Sequence, residues 1–513
     1  MTAFVARPAL MVPRMGGHRA RAALLFVAAA VALTACKPAV HLARTALHDH
    51  DTRTATPPGF ADDLSRLNRT AVAETWHVPA DAVEAERQLV ALVARARAER
   101  LPVSIAGARH SMGAHTIAAG GLVVDMLPFR AMSLDETVLT VGAGALWADV
   151  VPFLDARGRS IAVMQSDASF SVGGSLSTNV HGWPVGRPPM ASTVRAFRLV
   201  TAAGRVVRCS REENADLFAL ALGGYGLFGI ILDAELETVP NRWLRATRVA
   251  TPAAGLSGLF EATVRSDSTV EMAYGRISVA PGRFLQDAVL TVFRRAAPSN
   301  LPTGSPPPAV SRPSRLLPLA RAVFRGQVGS AYGKTLRWDA ERRLASAVTP
   351  EFVTRNTLLS GDTRLYTSRD DARTDILHEY FLPPDRLTAW LDRVRPLLVA
   401  SGMDLLNVTV RDVRADRETV LRYAPEDRLG VVMFFSQERT PAAEARMAML
   451  TRALVDAALD AGGTYYLPYR AHATRAQFAR AYPMAPAFFA AKARADPDTL
   501  FRNGFYSAYG PVP

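Results

Sequence analysis

Three glycine-rich loops lie between residues 106 and 231: Ala106-Gly-Ala-Arg-His-Ser-Met-Gly113, Ser169-Phe-Ser-Val-Gly-Gly-Ser-Leu-Ser-Thr-Asn179 followed by His181-Gly182, and Gly223-Gly-Tyr-Gly-Leu-Phe-Gly229-Ile-Ile231. Glycine lets backbone N–H groups come close to a pyrophosphate or a ring edge, and turns with exposed amides form anion-binding nests. One such loop usually only turns the chain; three in this order and spacing mark a cradle. None is a dinucleotide-binding fingerprint, because no Gly-x-Gly-x-x-Gly follows a first strand with an acidic residue on the next. No Gly-Lys-Ser/Thr triplet closes such a loop either, which excludes a P-loop. Two histidines, His110 and His115, belong to the first loop and its flank. A lone histidine is most often structural, and His115 is read as a solvated or supporting residue.

The elements around these loops alternate. Ala82–Arg100 has helical spacing, with Val83, Leu89, Val90, Val93 and Ala96 on one side. Leu101–Ile105, Gly121–Asp125 and Thr137–Val141 read as short strands, and Leu146–Ala156 as a helix ending at Gly158. From Asn241 the glycine punctuation thins, and longer strands and helices alternate. Leu405–Arg411 puts Asn407, Thr409 and Arg411 on one face and Leu406, Val408 and Val410 on the other. That polar face either lines a cavity or meets solvent. The proline-rich stretch Leu301–Pro318 reads as a surface loop or lid.

A chain of 513 residues, 49% of them hydrophobic and 21% charged, can bury a large core and is not a disordered protein. Its two cysteines, Cys36 and Cys209, cannot build a disulfide framework, a thiolate zinc site or an iron–sulfur cluster. Four of the thirteen net positive charges are Arg7, Arg14, Arg19 and Arg21, in a leader without acidic residues, which leaves +9. The remaining arginines are scattered, with no basic run interleaved with aromatics, so nucleic acid is not an expected partner. A basic surface facing an anionic membrane accounts for the charge, and an acidic substrate is the other explanation.

Residues 1–35 have the layout of an export signal, with a basic region ending at Arg21 and an apolar run from Ala22 to Ala35. Those fourteen residues fall short of the roughly 20 needed to span a bilayer. Leu33-Thr34-Ala35-Cys36 resembles a bacterial lipobox, which implies cleavage before Cys36 and lipid attachment to its thiol. Lys37, rather than an aspartate, follows the cysteine, so the expected destination is the bacterial cell envelope, at the outer membrane facing the periplasm. Residues 36–66 are then expected to be a polar tether.

The three loops together resemble those of the vanillyl-alcohol oxidase type of FAD-linked oxidoreductase, nearest to its alditol and aldonolactone oxidases and decaprenylphosphoryl-ribose oxidases. The resemblance covers about Val72–Pro240 and resumes at Thr464–Tyr509, where Ala495-Asp-Pro-Asp-Thr-Leu-Phe-Arg-Asn503 is similar to the family's closing motif. It implies an α+β architecture: a two-lobed FAD-binding domain over residues 67–240, an α/β substrate cap over 241–463, and a returning segment over 464–513. It also implies FAD held by Gly107, Ala108, Arg109, His110 and Ser111, and by Ser171, Val172, Gly173, Gly174 and Ser175. Asn179, Gly182, Gly226, Gly229 and Ile230 complete the implied cofactor contacts. Arg109 stands where the family's loop has a second glycine, and His110 where many members bond the flavin covalently.

Tyr469, Arg470 and His472 occupy the place of the family's catalytic lysine or histidine. Oxidising an alcohol requires a group to take the hydroxyl proton. Tyr469, kept acidic by Arg470, is one acceptor and His472 the next; the alternative is that Tyr469 only packs on the cap. The resemblance implies an FAD-dependent oxidoreductase acting on a sugar, polyol, lactone or related hydroxyl compound, with an unspecified electron acceptor. A flavin-dependent reductase of carbon–carbon double bonds and a non-catalytic flavin-fold lipoprotein are the competing readings.

Overall fold

The computed structural model describes residues 36–297, 299, 301, 317–343 and 350–511. The expected signal (residues 1–35) and residues 302–316 of the expected proline-rich lid lie outside them. Three larger sheets organise the described chain, beside a two-stranded ribbon of Phe60–Ala61 and Thr70–Ala71.

A small parallel sheet places Leu122–Asp125 between Glu74–His77 and Val103–Ala106. Helix Ala82–Ala98 makes the crossover; Asp81 caps it by accepting from the Glu84 amide at 2.9 Å. Ala85, Leu89, Leu92, Val93 and Ala96 form its buried stripe, whereas Val83, placed by periodicity on that side, is exposed at the first turn. A second, antiparallel sheet runs Val206–Ser210, Val194–Val200, Ile230–Pro240, Val138–Gly142, Met132–Asp135, with Arg159–Ile161 pairing the far end of Ile230–Pro240. Each of these two sheets, with its helices, forms one lobe, and the glycine loops leave from them. Cys209 is buried in the second, and burial pushes its thiol up to about 12, which makes it inert.

The third sheet has eight antiparallel strands in the order Phe352–Thr354, Trp243–Pro252, Asp287–Arg295, Val270–Ile277, Asp404–Val413, Arg428–Glu438, Arg373–Leu382, Thr464–Tyr465. Helices Leu387–Ser401 and Pro441–Asp460 pack against each other, burying Trp390, Leu391, Met447 and Leu454. Strand Asp404–Val413 alternates as its sequence requires. Register pairs Arg276 with Thr409, Thr409 with Val432, and Val432 with Glu379, so all four side chains share one face. After Thr464–Tyr465 the chain returns to the first lobe. Met112 donates to the Pro468 carbonyl at 2.9 Å, and Val103 exchanges bonds with Leu500 and Arg502.

The expected polar tether is not a free linker. Residues 36–48 are helical and dock against the helices Leu317–Arg325 and Ala331–Arg343. The His41 ring lies 2.9 Å from the Gly326 carbonyl, Asp49 receives both sides of the Arg321 guanidinium, and Thr52 donates to the Arg369 carbonyl at 2.9 Å. Lys37 sits over the Tyr332 ring, 4.6 Å from its centre, so even the first residues after Cys36 are engaged. Among the described residues, no helix is long and apolar enough to cross a membrane.

Candidate active site

A cavity of about 480 Å³ lies between the two lobes and the polar face of the eight-stranded sheet. Its floor is made of loops and its ceiling of strands.

The floor loops interlock so closely that side chains are excluded. A Cβ on Gly107 would sit 2.0 Å from the Ser171 hydroxyl, and one on Gly173 would sit 2.8 Å from the Ala143 Cβ. The Ala108 amide donates to Ser171 Oγ at 3.3 Å, and the Gly173 amide to the Ala143 carbonyl at 2.8 Å. Arg109 has φ 54°, a left-handed conformation. The position therefore asks for glycine, and arginine carries strain there. Its guanidinium lies 3.4 Å from the buried Asp125 carboxylate.

His110 is fixed beside this loop. Its ring stacks on Phe170 at 4.0 Å, and Nε2 lies 3.0 Å from Ser169 Oγ and 3.2 Å from the Ser169 carbonyl. Burial lowers its pKa to about 4, so the ring is neutral. Nδ1 of His110 and the Ser111 hydroxyl are buried with no hydrogen-bond partner among the described residues.

The ceiling is a wall of polar side chains. Glu379 is buried at its centre: its Oε1 lies 2.7 Å from His181 Nε2, and its Oε2 accepts from the Tyr469 hydroxyl at 3.5 Å. Burial favours the neutral acid, but His181, Arg411 and Tyr469 outweigh it and hold Glu379 below the usual carboxylate range. The Tyr469 phenol is driven the other way, well above its ordinary value, by burial and then by the Glu379 charge. Gly430 makes room here, since a Cβ would come within 3.2 Å of Glu379 Oε1.

Residues 81–210 match the family model described as the FAD binding domain. This segment is an FAD-binding domain. The chain is similar to cytokinin dehydrogenase 5 of Oryza sativa subsp. japonica, 38% identical over 167 residues, covering 29% of this chain and 31% of that protein. It is also similar to cytokinin dehydrogenase 5 of Arabidopsis thaliana, 33% identical over 200 residues, 37% and 33% of the two chains. Cytokinin dehydrogenase 10 of Oryza sativa subsp. japonica is 30% identical over 214 residues, 38% and 37%. The chain thus spans about a third of the length of the curated relatives it matches.

FAD is the cofactor of this domain, and the floor fits it. Loops into which a Cβ cannot enter, an unpartnered hydroxyl and an unpartnered imidazole nitrogen all face one cavity. Of the residues expected to hold the cofactor, Gly107, Ala108, Arg109, His110 and Ser111 line the cavity, as do Ser171, Gly173, Gly174, Gly226 and Gly229. Others support the loops from behind. Val172 and Ile230 are core residues, and Ser175 is spent on Trp147 Nε1 (2.9 Å) and Gln165 (3.0 Å). Asn179 bonds Asp416 and the Ala191 amide, and Gly182 passes against the Met164 carbonyl, 2.0 Å from where its Cβ would be.

Of the three residues expected over the flavin, only Tyr469 lines the cavity. Arg470 turns away to Glu444, Asn68 and the Met112 carbonyl, and His472 lies 2.8 Å from Glu444. Arg470 therefore ties the returning segment to the first lobe and does not acidify Tyr469. Sequence reasoning missed Glu379, Arg276 and the part His181 plays. Their signal was polar residues interrupting apolar strands, as in Ile376-Leu-His-Glu-Tyr-Phe-Leu382.

Proposed function

We propose that the protein is an FAD-dependent oxidoreductase that oxidises a carbon bearing a hydroxyl or related O–H or N–H group. The observation that carries this reading is the single cavity that joins the glycine loops to Glu379, His181 and Tyr469. When bound, FAD supplies the acceptor for the hydride. Everything else falls to the chain's own residues.

Four carboxylates line the cavity. Asp63 is bound by Ser65, Asn68 and the Ala114 amide, and Asp375 pairs with Arg325 at 2.9 Å. Asp167 is pushed up to about 6 by burial and accepts from Ser169. Asp167 Oδ2 has no hydrogen-bond partner among the described residues. Glu379 is held below the usual carboxylate range, with an oxygen that only a long phenol contact approaches, and in this reading it takes the substrate proton. Tyr469, whose phenol stays protonated at neutral pH, steadies that carboxylate as a donor. An ionised acceptor at this place favours oxidation over double-bond reduction, which needs a proton donor, and over a site that only binds.

His110 carries the flavin covalently in this reading, because its free Nδ1 belongs to a neutral, rigidly stacked ring. The eight-stranded sheet is the substrate cap. A sugar, polyol or lactone substrate rests on the family resemblance alone; the matched relatives are named for cytokinins. Cys36, exposed at the start of a docked helix, is the proposed lipid anchor, which would put the protein in the bacterial cell envelope. Loss of membrane retention in Cys36→Ser tests that part.

The purified protein should be yellow, and an oxidisable substrate should bleach the flavin band without oxygen. A colourless preparation, or a yellow one that no hydroxyl or amine donor bleaches, would overturn the assignment.

A further inference from the structure

The ceiling offers more positive charge than it uses. Arg276 and Arg411 share one face of adjacent strands: Arg276 faces Thr409, so Arg411 stands diagonally one step along. Such diagonal positions are about 7–8 Å apart, close enough to grip one small group between two side chains. Arg411 makes no ion pair within 4 Å among the described residues, and its side-chain hydrogen bond is from Nη2 to Ser166 Oγ at 3.1 Å. Arg276 gives Nη1 to Asn407 and Thr409, both at 2.7 Å, and approaches Glu341 only at 3.5 Å. Arg337 shares that same glutamate at 3.7 Å, so one carboxylate serves two guanidiniums.

The unmatched hydrogen-bonding groups agree with the charge. Nε of Arg411 and the Trp183 indole N–H are buried with no hydrogen-bond partner among the described residues, and Nε of Arg276 has only the Glu341 carboxylate, at 3.5 Å. All are donors, and all three residues line the cavity. Unpaired buried donors are costly, so the missing partner is rich in acceptors. The same cavity carries the aromatic side chains of Trp183, Phe324, Tyr366 and Phe434. Trp183 is itself held in place by Tyr274, with ring centres 4.6 Å apart.

We infer that the substrate joins a planar apolar body to an anionic oxygen group, a carboxylate or a phosphate, clasped between Arg276 and Arg411. This rests on the flavoenzyme reading above, because it assigns the chamber to a substrate. The body lies among the aromatic side chains, and the anion anchors the molecule so that its oxidisable carbon stays near Glu379. Paired guanidiniums suit planar, bidentate oxygens, which lysines in the same places would not match.

The test uses the flavin-loaded protein and titrates benzoate, phenyl phosphate and the neutral analogue benzamide, reading the shift of the flavin absorption band. At least one of the two anions should bind saturably, and benzamide about 10- to 100-fold more weakly. Which anion binds tighter tells carboxylate from phosphate. Arg276→Met and Arg411→Met should each cost the preferred anion a similar factor while leaving benzamide unchanged. Equal binding of benzoate and benzamide, no response to either anion, or unchanged affinity in both variants would overturn the inference. A flavin-loaded protein indifferent to charge sinks this inference alone, whereas absence of bound flavin sinks the function proposed above and this with it.

Discussion

The floor and the ceiling of the cavity solve opposite problems. The floor meets its ligand with backbone: loops packed so closely that Gly107 and Gly173 have no room for a Cβ, and few charged side chains among them. The ceiling meets its ligand with side chains that project from strands, and charge is its main device: Glu379, Arg276 and Arg411. A backbone cradle suits a group that is always the same, since its shape is set by the fold. A side-chain wall suits a group that differs between proteins, since single substitutions rewrite it without disturbing the strands beneath. The difference predicts separable failures: floor changes should remove the cofactor, ceiling changes should spare it and remove turnover.

The largest effect should come from the floor. Gly173→Val forces a branched side chain against Ala143, whose Cβ already lies 2.8 Å from the position of the first added carbon. The variant should purify without flavin, judged by the visible band relative to protein absorbance, with far-UV circular dichroism close to wild type. A fully yellow variant would show that this loop is not the cradle.

The ceiling counterpart is Glu379→Gln, which keeps the shape but removes the proton acceptor. Flavin content should be unchanged and turnover should fall by about 10²- to 10⁴-fold. Tyr469→Phe should cost less, about tenfold, because it removes only a donor to that carboxylate. If Tyr469→Phe proves the more damaging of the two, the phenol rather than the carboxylate handles the proton.

That contrast also explains what was legible in the sequence. The floor could be read because glycine at a tight contact leaves a mark that does not depend on distant neighbours. Loops 107–111, 171–174 and 226–229 were found from their composition, and the strand boundaries around them fall within two residues of the expected ones. The ceiling could not be assembled, because Arg276, Glu379 and Arg411 lie on three strands that become neighbours only through sheet order. Alternation did place Asn407, Thr409 and Arg411 on one face; it could not say that the face covers a cavity. Proximity in sequence misled in one place. Arg470 adjoins Tyr469, but the chain turns there, and the guanidinium leaves for Glu444. The helix at 36–48 was missed because polar residues hid a packing face that only the docked partner reveals.

His110 sharpens the comparison, since it is a reactive side chain in the floor. His110→Ala should still hold FAD through the loops, but acid-denatured protein should then release all of it, while the wild-type band stays fluorescent under ultraviolet light. Turnover should fall by about tenfold, or ~1.4 kcal/mol of barrier, if the attached flavin is the stronger oxidant. Release of all flavin from the wild type would remove the covalent link and leave the cradle intact.

The smallest effect concerns stability and compares two buried imidazoles, one at each wall. His115 lines the floor between Tyr225 and Phe505, and burial lowers its pKa to about 4. His378 lies in a ceiling strand between Tyr380 and Thr451, and burial lowers it to about 3. Both are neutral when folded and take up a proton when unfolded below the ordinary histidine value of about 6.5. Folding is therefore favoured above pH 6.5, and stability drains away as pH falls toward the folded pKa. For His115 the loss reaches about 3 kcal/mol by pH 4, at ~1.4 kcal/mol per pKa unit. His115→Leu replaces the imidazole with an apolar group in an aromatic pocket, so its melting temperature should fall less between pH 7 and pH 4.5 than that of the wild type. His378→Leu should flatten the same curve, but at a net cost at pH 7, because the ring also lies 3.2 Å from the Tyr380 and Thr451 hydroxyls. If both variants lose as many degrees on acidification as the wild type, other groups set the acid limit and neither ring is the buried neutral base described.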